Sequence, residues 1–297
     1  MRGTRIVALA SGAAAIVAAT MLLTGCSPAA PPATDPTGVP ATLFEHIHEL
    51  VPDPSDDTLL VATHEGLYRL TIGLDGATAA VGPIAGLDFD PMGFTLADGI
   101  AYASGHPGPT TPSSFGSPSL GLITSTDGGK SWANVSLTGQ TDFHGLTVVT
   151  GGDRPPRVFG YDASAGRVER SLDGGMTWTS GAMLNARDIL AVGDQLFATT
   201  AEGLATSNDG GATFSVDPDA PSLYVIAGDG SGALAGVDTT GTIWTRGVGQ
   251  EWVHGHTVEG TPQAFAVDGA RLYVADDRGI SYTDDAGATW VVLKVRT

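Results

Sequence analysis

One cysteine in 297 residues excludes any internal disulfide, so this chain is not held together by crosslinks. Lysine is almost absent, with two in the whole sequence, and charged residues total 15%, against roughly 25% in a typical soluble domain. That shortage argues against coiled coils and helix-rich bundles. Basic residues number 14 against 32 acidic ones, giving a net charge of −18 and an isoelectric point near 4.4. Such a field repels a polyanion, which excludes nucleic acid as a partner. No phosphate-binding loop, dinucleotide fingerprint or nucleophile elbow is present. What the chain does have is glycine, 42 residues or about twice the usual share, within a sequence that is 42% apolar. That apolar content argues against a solvated disordered chain, and the length suits one large β domain or two average ones.

The N-terminal segment stands apart from the fold. Arg2 and Arg5 precede an uncharged stretch from Ile6 to Leu23, rich in Ala, Val and Leu. Leu23-Thr24-Gly25-Cys26 then resembles a bacterial lipobox, with small residues before the sole cysteine. The resemblance implies a signal peptide over residues 1–25 and lipidation at Cys26. The mature chain would then be exported and anchored by lipid to the outer face of the cytoplasmic membrane or the cell envelope. Losing the two arginines with residues 1–25 takes the charge from −18 to −20. Residues 26–42 read as a lipidated cysteine followed by a Pro/Ala/Thr-rich tether, extended and semi-rigid. No other stretch has that composition, so residues 43–297 are expected to form one domain, monomeric in solution.

That domain repeats. Ser125-Thr126-Asp127-Gly128-Gly129-Lys130-Ser131-Trp132 recurs as Ser171 to Trp178 around Asp173, and as Ser207 to Phe214 around Asp209. It returns as Thr283 to Trp290 around Asp285, and a decayed copy runs from Thr245 to Trp252 with Gly247 in place of the aspartate. An earlier unit, Leu59 to Gly82, shares the strand pattern without the box, which makes six units. Units of about 40 residues, each reading as four short strands between Gly/Asp turns, predict an all-β propeller with six four-stranded blades. The last strand is expected to run from Trp290 to Val295 and complete its own blade.

The box resembles the Asp-box, or BNR repeat, of sialidases and related propellers. Its chemistry is local: the carboxylate accepts backbone N–H groups of the turn, the glycines permit φ > 0, and the aromatic residue packs between strands. Asp127, Asp173, Asp209 and Asp285, with Trp132, Trp178, Phe214 and Trp290, are therefore structural expectations. Phe44-Glu45-His46-Ile47-His48-Glu49-Leu50, Ala62-Thr63-His64-Glu65-Gly66-Leu67, Gly105-His106-Pro107 and Asp142-Phe143-His144-Gly145-Leu146 look like an exported bacterial family of sialidase-like propellers. That resemblance implies a glycoside hydrolase acting on extracellular glycans. Sialidases carry an arginine triad and an Arg-Ile-Pro motif, which are missing here. Arg187 alone lies near the start of an innermost strand, and one anchor binds a carboxylate weakly. Another glycosidase needs two facing carboxylates, and Glu65, Asp88, Asp90, Asp142 and Asp188 are available.

Histidine carries more information. His46, His48 and His144 begin first strands, whereas His64 and His106 end second strands, and in a four-stranded meander those ends share one face of the disc. Aligned first strands set His48 beside Met92 and His144, with His46, Asp90 and Asp142 two residues earlier, on the same side of the strand. Later units place Asp162, Thr200, Asp238 and Asp276 opposite His64 and His106, so that slot also reads as a simple turn cap. As a group, His with Met and Asp reads as a site for copper or zinc. His254 and His256 fall on an outer strand and read as surface residues. Three functions follow: a binding module for a protein, glycan or small ligand at the His-rich face, a metal-binding propeller, or a glycoside hydrolase.

Overall fold

The computed structural model describes residues 44–73 and 76–296. Residues 1–25, Cys26 and the tether lie outside the described residues. Six antiparallel sheets follow one another along the chain. Blade one holds β1 (Ile47–Asp53), β2 (Thr58–Thr63), β3 (Gly66–Ile72) and β4 (Ala77–Val81). Blade two holds β5 (Asp90–Ala97), β6 (Ile100–His106), β7 (Leu122–Ser125) and β8 (Ala133–Ser136). Blade three holds β9 (Phe143–Val149), β10 (Arg157–Asp162), β11 (Arg167–Ser171) and β12 (Thr179–Met183). Blade four holds β13 (Ala186–Val192), β14 (Gln195–Thr200), β15 (Gly203–Ser207) and β16 (Ser215–Val216). Blade five holds β17 (Leu223–Gly228), β18 (Leu234–Asp238), β19 (Thr242–Arg246) and β20 (Val253–Thr257). Blade six holds β21 (Ala264–Asp268), β22 (Arg271–Asp276), β23 (Gly279–Thr283) and β24 (Val291–Val292). The first strand of each blade packs on the first strand of the next, and β21 returns to β1, closing a six-bladed β-propeller.

The core is divided by blade junction. Second strands are sandwiched on both faces and lose the alternation of a half-buried strand; Thr58–Thr63 is buried throughout. Each junction holds one apolar cluster, such as Leu60, Ala62 and Leu67 of blade one against Phe89, Phe94 and Ile123 of blade two. The box turns reach into these junctions from the following blade. Asp127 Oδ1 accepts the N–H groups of Lys130 and Ser131 at 3.0 and 2.9 Å, and the Ser125 hydroxyl accepts the Gly129 N–H. Asp173 repeats both carboxylate bonds, Asp209 and Asp285 keep the one from Thr213 or Thr289, and each box hydroxyl accepts the second glycine N–H. Trp132 and Trp178 each donate their indole N–H to the box's own glycine carbonyl and pack at the junction with the preceding blade, as Phe214 and Trp290 also do. The second box glycine has two constraints. At Gly175, φ is +92° and a Cβ would stand 2.1 Å from Leu122 Cδ2 of the blade before.

Two junctions lack a box. Blade one has none, and there the last strand departs from the sequence expectation: it splits instead of running on to Val295. Val291–Val292 finishes blade six, Leu293 turns inward with its N–H on Ile280 O, and β25 (Lys294–Arg296) pairs parallel with β4 of blade one. Burial of Leu293 in the core between blades six and one breaks the strand in two. Blade five is the other, and its register corrects the alignment: Arg246 pairs with Leu234, where intact boxes set Ser207 and Thr283 opposite Leu196 and Leu272. An arginine thus replaces the box hydroxyl.

Candidate functional site

The site follows from one irregularity repeated five times. In β1, Ile47 pairs with Thr63 and Glu49 with Ala62, so His48 is an extra, bulged residue. The same bulge falls at Met92, His144, Arg187 and Tyr224 in the next four blades. A bulge re-aims its side chain. All five bulged residues line one cavity of about 430 Å³ at the mouth of the central channel, with Gln263 from blade six. The predicted alignment of His48, Met92 and His144 therefore holds, and it extends to Arg187 and Tyr224.

The five histidines do share a face, in two groups. His46, His48 and His64 bring one ring nitrogen each within 4.8 Å of one another, and His106, Asp142 and His144 do likewise. His48 Nε2 lies 3.3 Å from His64 Nδ1, and both approach Asp90, at 3.0 Å to Oδ1 and 2.9 Å to Oδ2. Asp142 Oδ2 receives His106 Nε2 at 2.9 Å and His144 Nε2 at 2.7 Å. The buried Oδ1 of Asp142 has no hydrogen bond, and that of Asp90 faces only His48 Nε2, at 3.0 Å.

Electrostatics separates the groups. Burial, together with His48, His64 and Arg187, holds the His46 pKa below its usual value. The hydrogen bond to Asp142 outweighs burial at His144 and raises it. At Asp90, burial is more than offset by His48 and His64, which leaves the carboxyl lowered.

The turn-cap reading of His64 is corrected by register. Thr200 caps its turn through Gly203 O and the Glu202 N–H, and the residue making the same bonds in blade one is Thr63, to Gly66 O at 2.9 Å and from the Glu65 N–H at 3.1 Å. His64 lies one residue beyond and is free to cross to blade two. Asp162, Asp238 and Asp276 cap turns as expected. Asp88 also serves a loop, holding Thr110 and Thr111. His254 and His256 are exposed on β20.

One residue escaped sequence reasoning. Glu49 follows the bulge in blade one as Asp188 does in blade four, on opposite sides of the ring and one level below its rim. Both open to the channel yet are surrounded by protein. Burial pushes Asp188 up to about 6 against the Ile226 N–H at 2.9 Å, and burial and Asp188 together raise Glu49. Arg187 Nη2 donates to Gln263 O at 3.0 Å and lies 4.9 Å over the Tyr224 ring. Counting two residues onward from His46, Asp90 and Asp142 locates the rim. Only counting one further, across the bulge, pairs Glu49 with Asp188.

No family model matches the chain, and no curated protein is similar to it in sequence. Solved structures share the fold. A chain of the nidogen/laminin complex matches with a TM-score of 0.58 and 17% identity over 78% of this chain and 91% of that one. The gluconolactonase XC5397 of Xanthomonas campestris matches at 0.57 and 13%, over 80% and 86% of the two chains. YCF48 bound to D1 peptide matches at 0.50 and 15%, over 82% and 80%. At these identities the likeness is one of fold, and this chain is a six-bladed β-propeller.

Proposed function

We propose that this propeller is a binding module of the cell envelope, tethered through Cys26, whose His-rich face takes up copper or zinc. The observation that carries this reading is the triangle of His48 Nε2, His64 Nδ1 and Asp90. Tetrahedral zinc at about 2.05 Å from each nitrogen sets its ligands roughly 3.3 Å apart, the separation found between the two ring nitrogens. The buried Oδ1 of Asp142 adds an acceptor that no protein group uses, and Asp90 Oδ1 faces His48 alone. Met92 between the two groups adds a soft ligand suited to copper. A net charge of −18 lowers the cost of gathering cations there. The test is elemental analysis and metal titration of the purified protein. His48→Ala with His144→Ala abolishes uptake, whereas Asp127→Ala lowers stability and leaves uptake intact; a wild-type protein that binds neither metal sinks the proposal.

A second reading, glycoside hydrolysis, is favoured by Glu49 and Asp188 facing one another across a cavity of sugar size, with one carboxyl raised to about 6. Reporter glycosides assayed on the same preparation separate the two. Turnover lost in both Glu49→Gln and Asp188→Asn supports hydrolysis.

A further inference from the structure

Five of the six junctions are sealed on the face opposite the histidines: four by box turns, and the junction between blades six and one by β25. The junction between blades four and five is not. There the box hydroxyl has become Arg246, and a cavity of about 760 Å³ opens between the blades, lined by Phe197, Val216, Asp217, Arg246, Val248 and Gln250. Arg246 lies 5.5 Å over the Phe197 ring and 4.9 Å over Trp252, and among the described residues no carboxylate comes within 4 Å of its guanidinium. Trp252 has kept the place of the box tryptophan, yet its buried indole N–H has no acceptor, where Trp132 and Trp178 each have a glycine carbonyl. Val216 and Val248 stand exposed at the lips, at 46% and 68%.

We infer that this groove docks an extended segment of a partner protein carrying one Asp or Glu between small apolar side chains. The segment's carboxylate meets Arg246 in the fork geometry that arginine offers, and its apolar groups cover Val216 and Val248. Charge complementarity sets the class. Arg246 has no carboxylate within 4 Å, Asp194 on the same wall is held by Arg157 at 2.8 Å, and Asp217 takes the Asp219 N–H at 3.0 Å, which leaves the guanidinium open to a carboxylate from outside. The segment fills the place that a box turn or β25 fills at every other junction.

The probe is a pool of acetylated, amidated heptapeptides with a fixed central Asp and flanks drawn from Ala, Val and Ser. A matched pool has Asn at the centre, and both are titrated against the full chain by fluorescence anisotropy. The expected result is binding about tenfold tighter for the Asp pool, the scale of one hydrogen-bonded charge pair. Arg246→Met keeps the stem over Phe197 and Trp252, and it erases that preference. Val248→Asp, on the exposed lip, weakens the Asp pool without touching the core. Equal binding of the two pools overturns the proposal, as does no saturable binding of either pool to the wild-type chain or a preference that survives Arg246→Met. Displacement by a glucuronate disaccharide at lower concentration than the Asp pool overturns the choice of a peptide.

Discussion

His64 of the first blade reaches Asp90 of the second, Nδ1 to Oδ2 at 2.9 Å, and His106 of the second blade repeats the step to Asp142 of the third at the same distance. The two aspartates are equivalent in position, but their second imidazole differs: His48 comes from the blade before Asp90, and His144 from the same blade as Asp142. Each group spans a junction and holds one carboxylate between two imidazoles.

If the face binds metal as proposed, Asp90→Asn and Asp142→Asn should each weaken one site and spare the other. A carboxylate that binds or orients the ligands is worth roughly 10–100-fold in affinity. Calorimetric titration with zinc should show one class of sites shifted by that factor in each variant and both in the double variant. Equal loss from either single change would mean one shared site.

Gly174 and Gly175 separate backbone strain from overpacking. Both have positive φ, +77° and +92°, but a Cβ on Gly174 meets nothing nearer than Pro156 Cδ at 3.9 Å. Gly174→Ala should cost about 1 kcal/mol of strain, and Gly175→Ala roughly 2–4 kcal/mol, because Leu122 must also yield. Denaturant unfolding of the two variants gives the difference. Similar costs would mean that the junction is loosely packed.

The box aspartates give a pH dependence of known sign. Hydrogen bonds from Ser131 or Thr177 side chains and backbone hold Asp127 and Asp173 down to about 2, from 3.8. Asp209 and Asp285 are lowered to about 2 by Thr213 and Thr289. A lowered carboxyl contributes stability that is complete above its unfolded value and is lost as pH falls through its folded value. Thermal melts should thus lose most between about pH 4 and pH 2. Asp127→Asn should flatten that fall, and a variant as acid-sensitive as the parent would count against the box as the cause.

Most of the fold was legible because the box repeats, and a repeat fixes blade length and count whatever each strand's propensity. The shared face of the histidines was legible too, since strand direction alone decides which ends meet. Three features were not. The bulges at His48, Met92, His144, Arg187 and Tyr224 exist only in the register between two strands, and a strand read alone carries no register. A polar residue at the strand end suits a turn cap as well as a ligand, and only the hydrogen bonds of Thr63 show that the cap in blade one lies one residue before His64. Glu49 belongs with Asp188 through ring closure, which brings positions 139 residues apart in sequence to one channel.

Closure by β25 should be local in effect. Deleting residues 294–297 removes the parallel ladder to β4 and uncovers the junction between blades six and one. Amide hydrogen exchange should quicken in β4 and β24 while β9 to β15, across the ring, keep their protection. Uniformly faster exchange would show that the ring opens as a single unit.

The channel acids should be a stability cost kept for what they do. Asp188 is raised to about 6 and Glu49 above its usual value, both first by burial. A carboxyl raised on folding favours the folded state only while protonated. Stability is therefore lost as pH climbs from the unfolded values near 4 through the folded ones, about 6 for Asp188. Glu49→Gln removes a carboxyl whose charged form is disfavoured first by burial and then by Asp188. The variant should therefore melt above the parent at pH 7. At pH 4 both carboxyls are already protonated in the folded chain, and the variant should melt with the parent. Melting curves at the two pH values check this directly. A Glu49→Gln protein no more stable than the parent at pH 7 would mean that the channel solvates these groups as well as bulk water does.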